Sequence, residues 1–581
     1  MKKCIALLLA AAFVLGLAGC KKKQPAAQNT LPVDHHAAAE IRQAISLLID
    51  RNYVVEQIAQ GGQTPASSFV PAQMTDADGS FFYENAGSED YPGYYEVSND
   101  AYEENFAKAI EILRKYYAYD TATGQFRNFP TLTYLYNNSD AHRAVGEYLQ
   151  NVLAGVGITL NLQNQEWNTF LNTRKQGDFS LARNGWVADY NDPICFLDMW
   201  TSGSGNNDIQ FGKGSHQSAA IYSLDLTPYG IDTKIENGTW AQTYDVLIGA
   251  IKTEADRDNR YAMMHLAEDM LMDSGCITPL YYYADLYMLD DSVTGFFAND
   301  MGCKFLSQTR VNGSTTSISV CLASEPESLD PALNSTVDGT TLISHLFAGL
   351  AKWSSDQEGN VTIMPDCAEM LPEGIRNEDG TVTYTYTLKE NAKWSDGKAL
   401  AAQDFVYAWQ RAADPKNGSS YGYLFDLIKE TSAPDDRTLT VTLKNPVGYW
   451  DELLALPVFF PVRQDVVENN EAWATAPGSY LCNGAYTMAG WEHDSVITLQ
   501  KNGNYHDASS VTMEKIRFYL SDDANNMLSN FKNGTWLLID NVPTNEVATL
   551  KKQYPTEFII APQIGTYYIC WNINESLSPA S

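Results

Sequence analysis

The sequence predicts an α/β protein with more than one lobe. Helical and strand patterns alternate from about residue 40 onward. After the first 20 residues about 560 remain, too many for one hydrophobic core, and a typical ~150 residues per domain predicts two or three lobes. The 34 tyrosines and 12 tryptophans, with 44% hydrophobic residues, fit a globular protein with aromatic-lined clefts.

The first segment, "MKKCIALLLAAAFVLGLAGCKKKQ", has two lysines, an apolar run and small residues leading to a cysteine. This pattern is typical of a lipoprotein signal peptide. The apolar run is shorter than the roughly 20 residues of a membrane span, and no later segment reaches that length. We expect a signal peptide over residues 1–19, a lipid on Cys20 and a membrane-proximal tether over residues 20–33.

Charge and cysteine content narrow the function classes. A formal charge of −32 disfavours nucleic acid as a partner and attracts cationic ligands. Beyond Cys4 and Cys20, the chain has an odd set of cysteines with no CxxC spacing, at positions 195, 276, 303, 321, 367, 482 and 570. A disulfide scaffold is therefore not expected, although one or two bridges remain open.

In the first half, apolar residues at helical spacing predict helices within 37–51 and 103–117. The clearest unit follows, where Ser139 or Asp140 caps a helix that Gly155 ends. The apolar face of that helix comprises Val145, Leu149, Val152 and Leu153. Alternation over "ITLNL" and "FSLARNGW" then predicts two strands, completing an α/β lobe.

Within residues 300–320 a polar Asn-Gly-Ser-Thr-Thr segment separates two strand-like runs, and we place the main boundary between the two halves of the chain there. The second half is richer in strands. Alternating apolar residues predict strands within 381–390 and 437–445, and residues 514–542 predict a strand, a helix and a strand.

The usual signatures of catalysis are missing. No GxxxxGK[ST], HExxH, GxSxG or EF-hand loop occurs, so we expect neither an enzyme nor a bound cofactor or metal. The adjacent His35 and His36 diverge on a helix, and we interpret them as a helix start after Asp34.

One short strand carries opposite charges. In "LARNGWVADYNDP", Arg183, Gly185, Val187 and Asp189 share one face, with the charges about 20 Å apart along an extended chain. They are too far apart to pair with each other. A ligand with charged ends, such as a zwitterionic peptide, is one candidate partner.

Six separated motifs resemble one family. They are "IRQAISLLIDR" (41–51), "GWVADYNDP" (185–193), "SEPESLDPALN" (324–334), "LKENAKWSDGKALAAQDFVYAWQRAADP" (388–415), "NGAYTMAGW" (483–491) and "GTYYICWNIN" (565–574). They look like the oligopeptide-binding branch of the solute-binding lipoproteins of ABC importers. The resemblance implies a two-lobed, periplasmic-binding-protein-like α/β fold with an additional third domain, closing over a peptide.

The motif order differs from that of the family, because the family's second half comes first here. The sequence therefore resembles a circular permutant, whose old ends would be joined through a linker at 310–317. In this order the ligand-binding lobe is expected at 34–285 and the extra domain at 351–476. The second lobe would combine 286–350 with 477–577. Surface termini that lie close together make such rewiring tolerable.

The resemblance also implies site residues. Asp189 would bind the ligand's α-amino group, and the backbone of Gly185 and Val187 would pair with the peptide main chain. Arg183 would face the carboxylate end, with Arg174 and His142 as alternatives for other peptide lengths. The remaining candidates are Trp186 and Trp167 in side-chain pockets, with Tyr421, Glu325, Pro326 and Glu327 on the opposite lobe.

Each candidate site residue can also have a purely structural role. Asp189 can cap the turn that follows it, and both arginines can form surface ion pairs. His142 can be an exposed residue at a helix start, and both tryptophans can belong to the core. Val187 stands where some relatives carry a disulfide cysteine. The loop at 69–84 lacks a lysine that some relatives use for short peptides, which leaves peptide length open.

We expect a monomeric, extracytoplasmic, lipid-anchored receptor that delivers peptides to the permease subunits of an ABC transporter. Three alternatives remain open. The same fold can bind an oligosaccharide, a nickel chelate or haem. A secreted hydrolase with a carboxylate pair would have an aromatic cleft. The chain can also be a permuted, non-functional gene product.

Overall fold

The computed structural model describes residues 30–214, 222–322, 324–356 and 358–580. The predicted signal peptide, Cys20 and most of the tether lie outside these ranges. Among the described residues, no helix combines the length and apolar character needed to cross a bilayer.

One 11-stranded sheet runs through the molecule. Its strands are β1 (Thr64–Pro65), β2 (Leu132–Asn137), β3 (Leu160–Gln165), β4 (Leu181–Val187), β5 (Ile277–Leu289), β6 (Ile318–Leu322), β7 (Tyr486–Glu492), β8 (Val496–Lys501), β9 (Lys515–Leu520), β10 (Leu538–Ile539) and β11 (Phe558–Trp571). Their order is β7-β8-β9-β6-β10-β5-β11-β4-β2-β3, with β1 paired to β5. Parallel and antiparallel pairs mix, as in other large α/β sheets.

Helices cover the sheet. The longer ones are α1 (His35–Leu47), α2 (Tyr102–Leu113), α3 (Asp140–Gly155), α4 (Trp167–Gln176), α5 (Trp240–Thr253), α6 (Arg257–Asp273), α7 (Val337–Leu346), α8 (Ala402–Ala413), α9 (Ala524–Lys532) and α10 (Val547–Gln553). Short helices occur at Arg51–Tyr53, Ile194–Leu197, Trp450–Leu453 and Gln464–Val467.

Smaller sheets decorate this frame. A four-stranded one, Ile375–Arg376, Val382–Thr387, Thr438–Leu443 and Ile428–Ser432, lies within the predicted extra domain. Two-stranded pairs are Ala118–Asp120 with Gln125–Arg127, Tyr222–Asp225 with Lys234–Gly238, Val293–Thr294 with Arg310–Val311, Phe297–Ala298 with Lys304–Phe305, and Ala351–Ser355 with Val361–Pro365.

Strands β5 and β11 connect the two lobes. They pair antiparallel over most of their length, with register shifts between Pro562 and Thr566 and again after Tyr567. At one end β5 also pairs with β10 of the second lobe, and the other end of β11 pairs with β4 of the first. Because two continuous strands form the connection, they are the natural hinge between the lobes.

Most local predictions are confirmed. Asp34 caps α1, and the Ser139 side chain accepts a hydrogen bond from the His142 N–H at the start of α3. Strands form where alternation predicted them, as does the strand–helix–strand unit β9-α9-β10. The predicted end of α3 is confirmed, since Gly155 is the last residue of the helix. The left-handed conformation that follows belongs to Gly157, whose positive φ of 84° suits glycine.

The permutation and the domain boundaries stay predictions. Leu31 donates its N–H to the Lys115 carbonyl, and the Tyr117 hydroxyl donates to the Leu577 carbonyl. The segments around Leu31 and Leu577 therefore contact the same stretch of chain, at Lys115 and Tyr117. The predicted linker at 310–317 forms a turn, in which Val311 pairs with Val293 ahead of β6.

Candidate functional site

A cavity of about 360 Å³ lies between the lobes. Ligand pockets commonly measure ~300–1,000 Å³. One wall is β4 with the starts of α3 and α4, and the other includes α7 and Tyr421. The cavity brings together eight of the predicted site residues with Tyr421: Asp189, Arg183, Arg174, His142, Trp186, Trp167, Gly185 and Val187.

Asp189 lies at one end of the cavity. Its Oδ1 accepts a hydrogen bond of 3.1 Å from the Tyr421 hydroxyl, and its backbone N–H lies 3.2 Å from Cys195 Sγ. Within the described ranges, no cation pairs with this carboxylate. Burial raises the pKa of Asp189 to about 7, against the lowering effect of Tyr421. A carboxylate desolvated without a counter-ion favours a cationic ligand.

The open edge of β4 lines the middle of the cavity. On its other edge Ala188 donates to Ile564 and Asn572 donates to Ser180, so even-numbered residues bond to β11. The N–H and C=O groups of odd-numbered residues, Gly185 and Val187 among them, therefore point away from β11.

Strand β2 reaches only the first two residues of β4, pairing Tyr134 with Leu181 and Leu135 with Ala182. From residue 183 onward, this edge has no strand partner in the part of the chain that the structure describes. The Gly185 N–H donates locally to Asn184 Oδ1 at 2.8 Å. The edge can accept an extended peptide as a further strand.

Arg183 lies at the other end of the strand, in an aromatic cage. Its guanidinium carbon is 5.5 Å from the ring centre of Tyr567 and 5.8 Å from that of Trp167. No carboxylate among the described residues pairs with it, and its Nε is buried without a hydrogen-bond partner. Burial opposes its charge, but neighbouring tyrosines, Tyr283 foremost, raise the pKa of Arg183 above its usual value.

The two alternative carboxylate partners differ from Arg183. Arg174 is already paired, with Nε 2.8 Å from Asp208 Oδ2. His142 Nδ1 lies 3.1 Å from the Tyr567 hydroxyl, near the first turn of α3. Burial, and then the charge of Arg183, lower the pKa of His142 well below its usual value. The ring is therefore neutral at pH 7 and can act on a ligand only as a hydrogen-bonding group.

Trp186 and Trp167 contribute aromatic surface to the wall. The Trp186 Nε1–H donates to the Cys195 carbonyl at 3.1 Å, which fixes the indole beside Tyr421, with ring centres 6.3 Å apart. Trp167 stacks on Phe170 at 5.9 Å. Both rings are partly buried rather than part of the closed core.

The segment Glu325 to Glu327 lies beside the cavity rather than on its wall. Glu325 accepts hydrogen bonds from Trp491 Nε1 and from His493 Nδ1, and Pro326 is buried. Glu327 lies 3.1 Å from the Nζ of Lys175, a cavity residue on α4 of the opposite lobe. This ion pair links the lobes.

Tyr283 and Asp338 are among the wall residues that sequence reasoning missed. Tyr283 packs against Gly185, where a Cβ would overlap its hydroxyl and lie 3.1 Å from its Cζ. The triple-tyrosine run on β5 was the available signal. Asp338 lies in the first turn of α7. Acidic residues are common there, so nothing in the sequence distinguished it.

Comparison with known proteins identifies the family. Residues 25–208 and 362–579, more than half of the chain, match the model for bacterial extracellular solute-binding proteins, family 5. The chain belongs to this family. The resemblance inferred from the six motifs is thereby confirmed, as is the two-lobed α/β fold.

Several family 5 relatives are named for peptide binding. The chain is 33% identical to the oligopeptide-binding protein OppA of Bacillus subtilis over 278 residues, covering 44% of this chain and 49% of the relative. It is 31% identical to the dipeptide-binding protein DppE of the same organism over 265 residues, covering 43% and 47%. The chain thus spans about half the length of the curated relatives it matches.

Among solved structures, the Escherichia coli murein tripeptide-binding protein MppA is 28% identical, with a TM-score of 0.38, covering 42% of this chain and 49% of that one. OppA of Burkholderia pseudomallei is 30% identical, with a TM-score of 0.37, covering 41% and 48%.

Proposed function

We propose that this protein captures oligopeptides in the cavity between its lobes, for import by an ABC transporter. The observation that carries the proposal is the arrangement along one strand: an unpaired carboxylate at Asp189, an open edge at Gly185 and Val187, and an unpaired guanidinium at Arg183. These three features match the amino terminus, main chain and carboxylate of an extended peptide.

Main-chain pairing explains how one site can bind peptides of different sequence without losing affinity for them. Backbone hydrogen bonds to the β4 edge are the same for every peptide, while hydrated pockets beside Trp186 and Trp167 accept different side chains. In this assignment His142 and Arg174 serve peptides of other lengths. The Asn184 side-chain oxygen, which accepts a hydrogen bond from the Gly185 N–H, would move away when a ligand strand binds.

Closure of the lobes would couple binding to transport. A ligand that touches both walls stabilises the closed state by its differential contacts. Three hydrogen bonds already join the two walls of the cavity. They connect Tyr421 with Asp189, Lys175 with Glu327, and Asn206 with the Ser420 carbonyl. We place Cys20 as the lipid anchor that keeps the receptor beside the permease, which supplies ATP hydrolysis. Binding, not bond making, is then the whole activity.

The test is calorimetric titration of ligand-stripped protein with a short basic peptide and with the same peptide N-acetylated. Losing one partner of a desolvated charge pair costs roughly 2–5 kcal/mol, so acetylation should weaken binding about 30-fold or more. Asp189→Asn should abolish the difference between the two peptides. The exposed acid Glu111, replaced by Gln, is the charge-matched control and should leave it unchanged.

Equal binding of both peptides would remove Asp189 from its role and favour a sugar or chelate ligand. Release of cleaved peptide would favour the hydrolase instead. No binding by a protein that melts cooperatively would contradict the proposal.

A further inference from the structure

Asp338 is a second carboxylate on the cavity wall that no part of the peptide main chain explains. It lies in the first turn of α7, whose Val337, Thr340 and Ser344 also face the cavity. An acid there interacts favourably with the helix macrodipole. That role accounts for an acid at this point of the helix, but any outward position in the turn would serve it.

Asp338 has no partner of its own. Within the described residues its carboxylate forms neither an ion pair nor a hydrogen bond. The nearest ammonium belongs to Lys304, which bonds Asp285 at 2.8 Å, Asp540 at 2.8 Å and the Gly302 carbonyl at 2.9 Å. An ammonium group has three N–H donors, so these contacts use all of them.

The other cationic side chains that line the cavity also have interaction partners of their own. Arg174 pairs with Asp208 and Lys175 with Glu327, while Arg183 is held in its aromatic cage on the opposite wall. With Asp285 and Asp540 sharing one lysine, this corner carries excess negative charge. The burial that raises the pKa of Asp338 to about 6 leaves it mostly ionised at pH 7.

The corner lies toward the Asp189 end of the cavity. The Ala188 N–H donates to the Ile564 carbonyl, and the Ile564 N–H donates to the Asp300 carbonyl. The Lys304 N–H donates to Thr341 Oγ1 on α7, so the segment 300–304 runs from the Asp189 end of β4 to the helix that carries Asp338. Trp353 and Phe305 line the adjoining wall and offer apolar surface to an alkyl chain. The Nε of Arg183 and the Oδ1 of Asn137 are buried, unpartnered polar atoms on the same cavity, which indicates that an absent ligand satisfies them.

We propose that Asp338, with Trp353 and Phe305, forms a subsite for a cationic side chain near the amino terminus of the bound peptide. This inference rests on the proposed peptide function and sharpens it. The preferred ligands carry two positive charges close together, the α-amino group on Asp189 and a lysine or arginine at the first or second position on Asp338.

Tetrapeptides with free ends test this directly. Calorimetry would compare lysine with glutamine at position 1, at position 2 and at position 4 of an otherwise all-alanine peptide. Lysine should bind at least tenfold more tightly than glutamine at position 1 or 2. At position 4 the two should differ by less than threefold.

In Asp338→Asn the lysine preference should fall below threefold, while the glutamine peptides keep their wild-type affinity and so report correct folding. Asp232→Asn, which removes an exposed charge elsewhere, should keep the preference. Equal affinity of lysine and glutamine peptides for wild-type protein, or a preference that survives in Asp338→Asn, overturns the inference alone. Failure of every peptide to bind overturns the proposed function and this inference with it.

Discussion

The Tyr421 hydroxyl donates a 3.1 Å hydrogen bond to Asp189 Oδ1, and the two residues come from opposite walls of the cavity. The bond therefore does two things. It holds the walls together, and it stabilises the ionised form of a carboxylate that burial would otherwise neutralise. The same carboxylate can bind an ammonium group with its other oxygen.

Peptide affinity should rise with pH through neutrality. Because the pKa of Asp189 is raised to about 7, most of the free protein holds a proton there at pH 6, and a bound ammonium must displace it. We expect affinity to increase severalfold between pH 6 and 7.5 and to fall again as the ligand's own amine, with a pKa near ~8, loses its proton. Titrations in two buffers of different ionisation enthalpy measure the proton released.

Tyr421→Phe should shift this profile upward in pH. Removing the donor removes a hydrogen bond to the charged form, so the pKa of Asp189 rises further. At pH 7 we expect roughly a tenfold to 150-fold loss of affinity, because a hydrogen bond to a charged group contributes about 1.5–3 kcal/mol. A loss that is the same at pH 6 and pH 8.5 would show that Tyr421 acts only by packing.

Gly185→Ala should weaken peptide binding by at least tenfold. The added Cβ would overlap the Tyr283 hydroxyl, so either the tyrosine or the edge of β4 must move. Tyr283→Phe removes the overlapping oxygen and leaves the nearest ring carbon, Cζ, at 3.1 Å. The double variant should therefore recover part of the affinity in a calorimetric comparison. No recovery would mean that alanine disturbs the strand edge itself.

The ion pair between Lys175 and Glu327 should favour the closed state modestly. Both side chains are partly exposed, at 25% and 18%, so we expect a coupling of roughly 1 kcal/mol or less. A double-mutant cycle with Lys175→Met and Glu327→Gln, read by peptide affinity, measures it. Small-angle scattering should show a more open apo protein in each single variant, and high salt should reduce the difference from wild type.

Local features of this fold were predictable because neighbouring residues determine them. Asp34 and Ser139 cap helices by reaching the backbone three residues ahead, and alternation identifies β4 as a strand. The end of α3 at Gly155 was also predicted correctly, although Gly157 rather than Gly155 adopts the left-handed conformation.

Partners far apart in the chain were not predictable in this way. Tyr421 lies 232 residues from Asp189, and the Gly185–Tyr283 contact depends on packing between β4 and β5, which lie on either side of β11. Arg174 illustrates the same limit. Its residue type suits a ligand carboxylate, yet Asp208, brought near by folding, already pairs with it. The family resemblance pointed to residues that line one cavity, but only the packed structure distinguishes paired charges from unpaired ones.

Buried acids should make the apo protein less stable as pH rises. Glu268 is fully buried, accepts N–H bonds from Phe69 and Val70 on one oxygen, and leaves the other without a partner in the described residues. Burial raises its pKa to about 8. The unfolded chain loses this proton near pH ~4.3 and the folded chain near 8, so stability present below pH 4 is lost progressively up to pH 8.

Thermal melts should therefore show a midpoint that falls between pH 5 and pH 8. Glu268→Gln, which cannot ionise, should flatten this slope by up to about 1.4 kcal/mol per pH unit in the free energy of unfolding. The exposed Glu56, replaced by Gln, should leave the slope as in wild type. If the Glu268 variant keeps the full slope, other carboxyl groups with a raised pKa are responsible for it, among them Asp189, Asp198, Asp338 and Asp540. Saturating peptide should then remove the part that belongs to Asp189, because a bound ammonium restores that carboxylate's charge at lower pH.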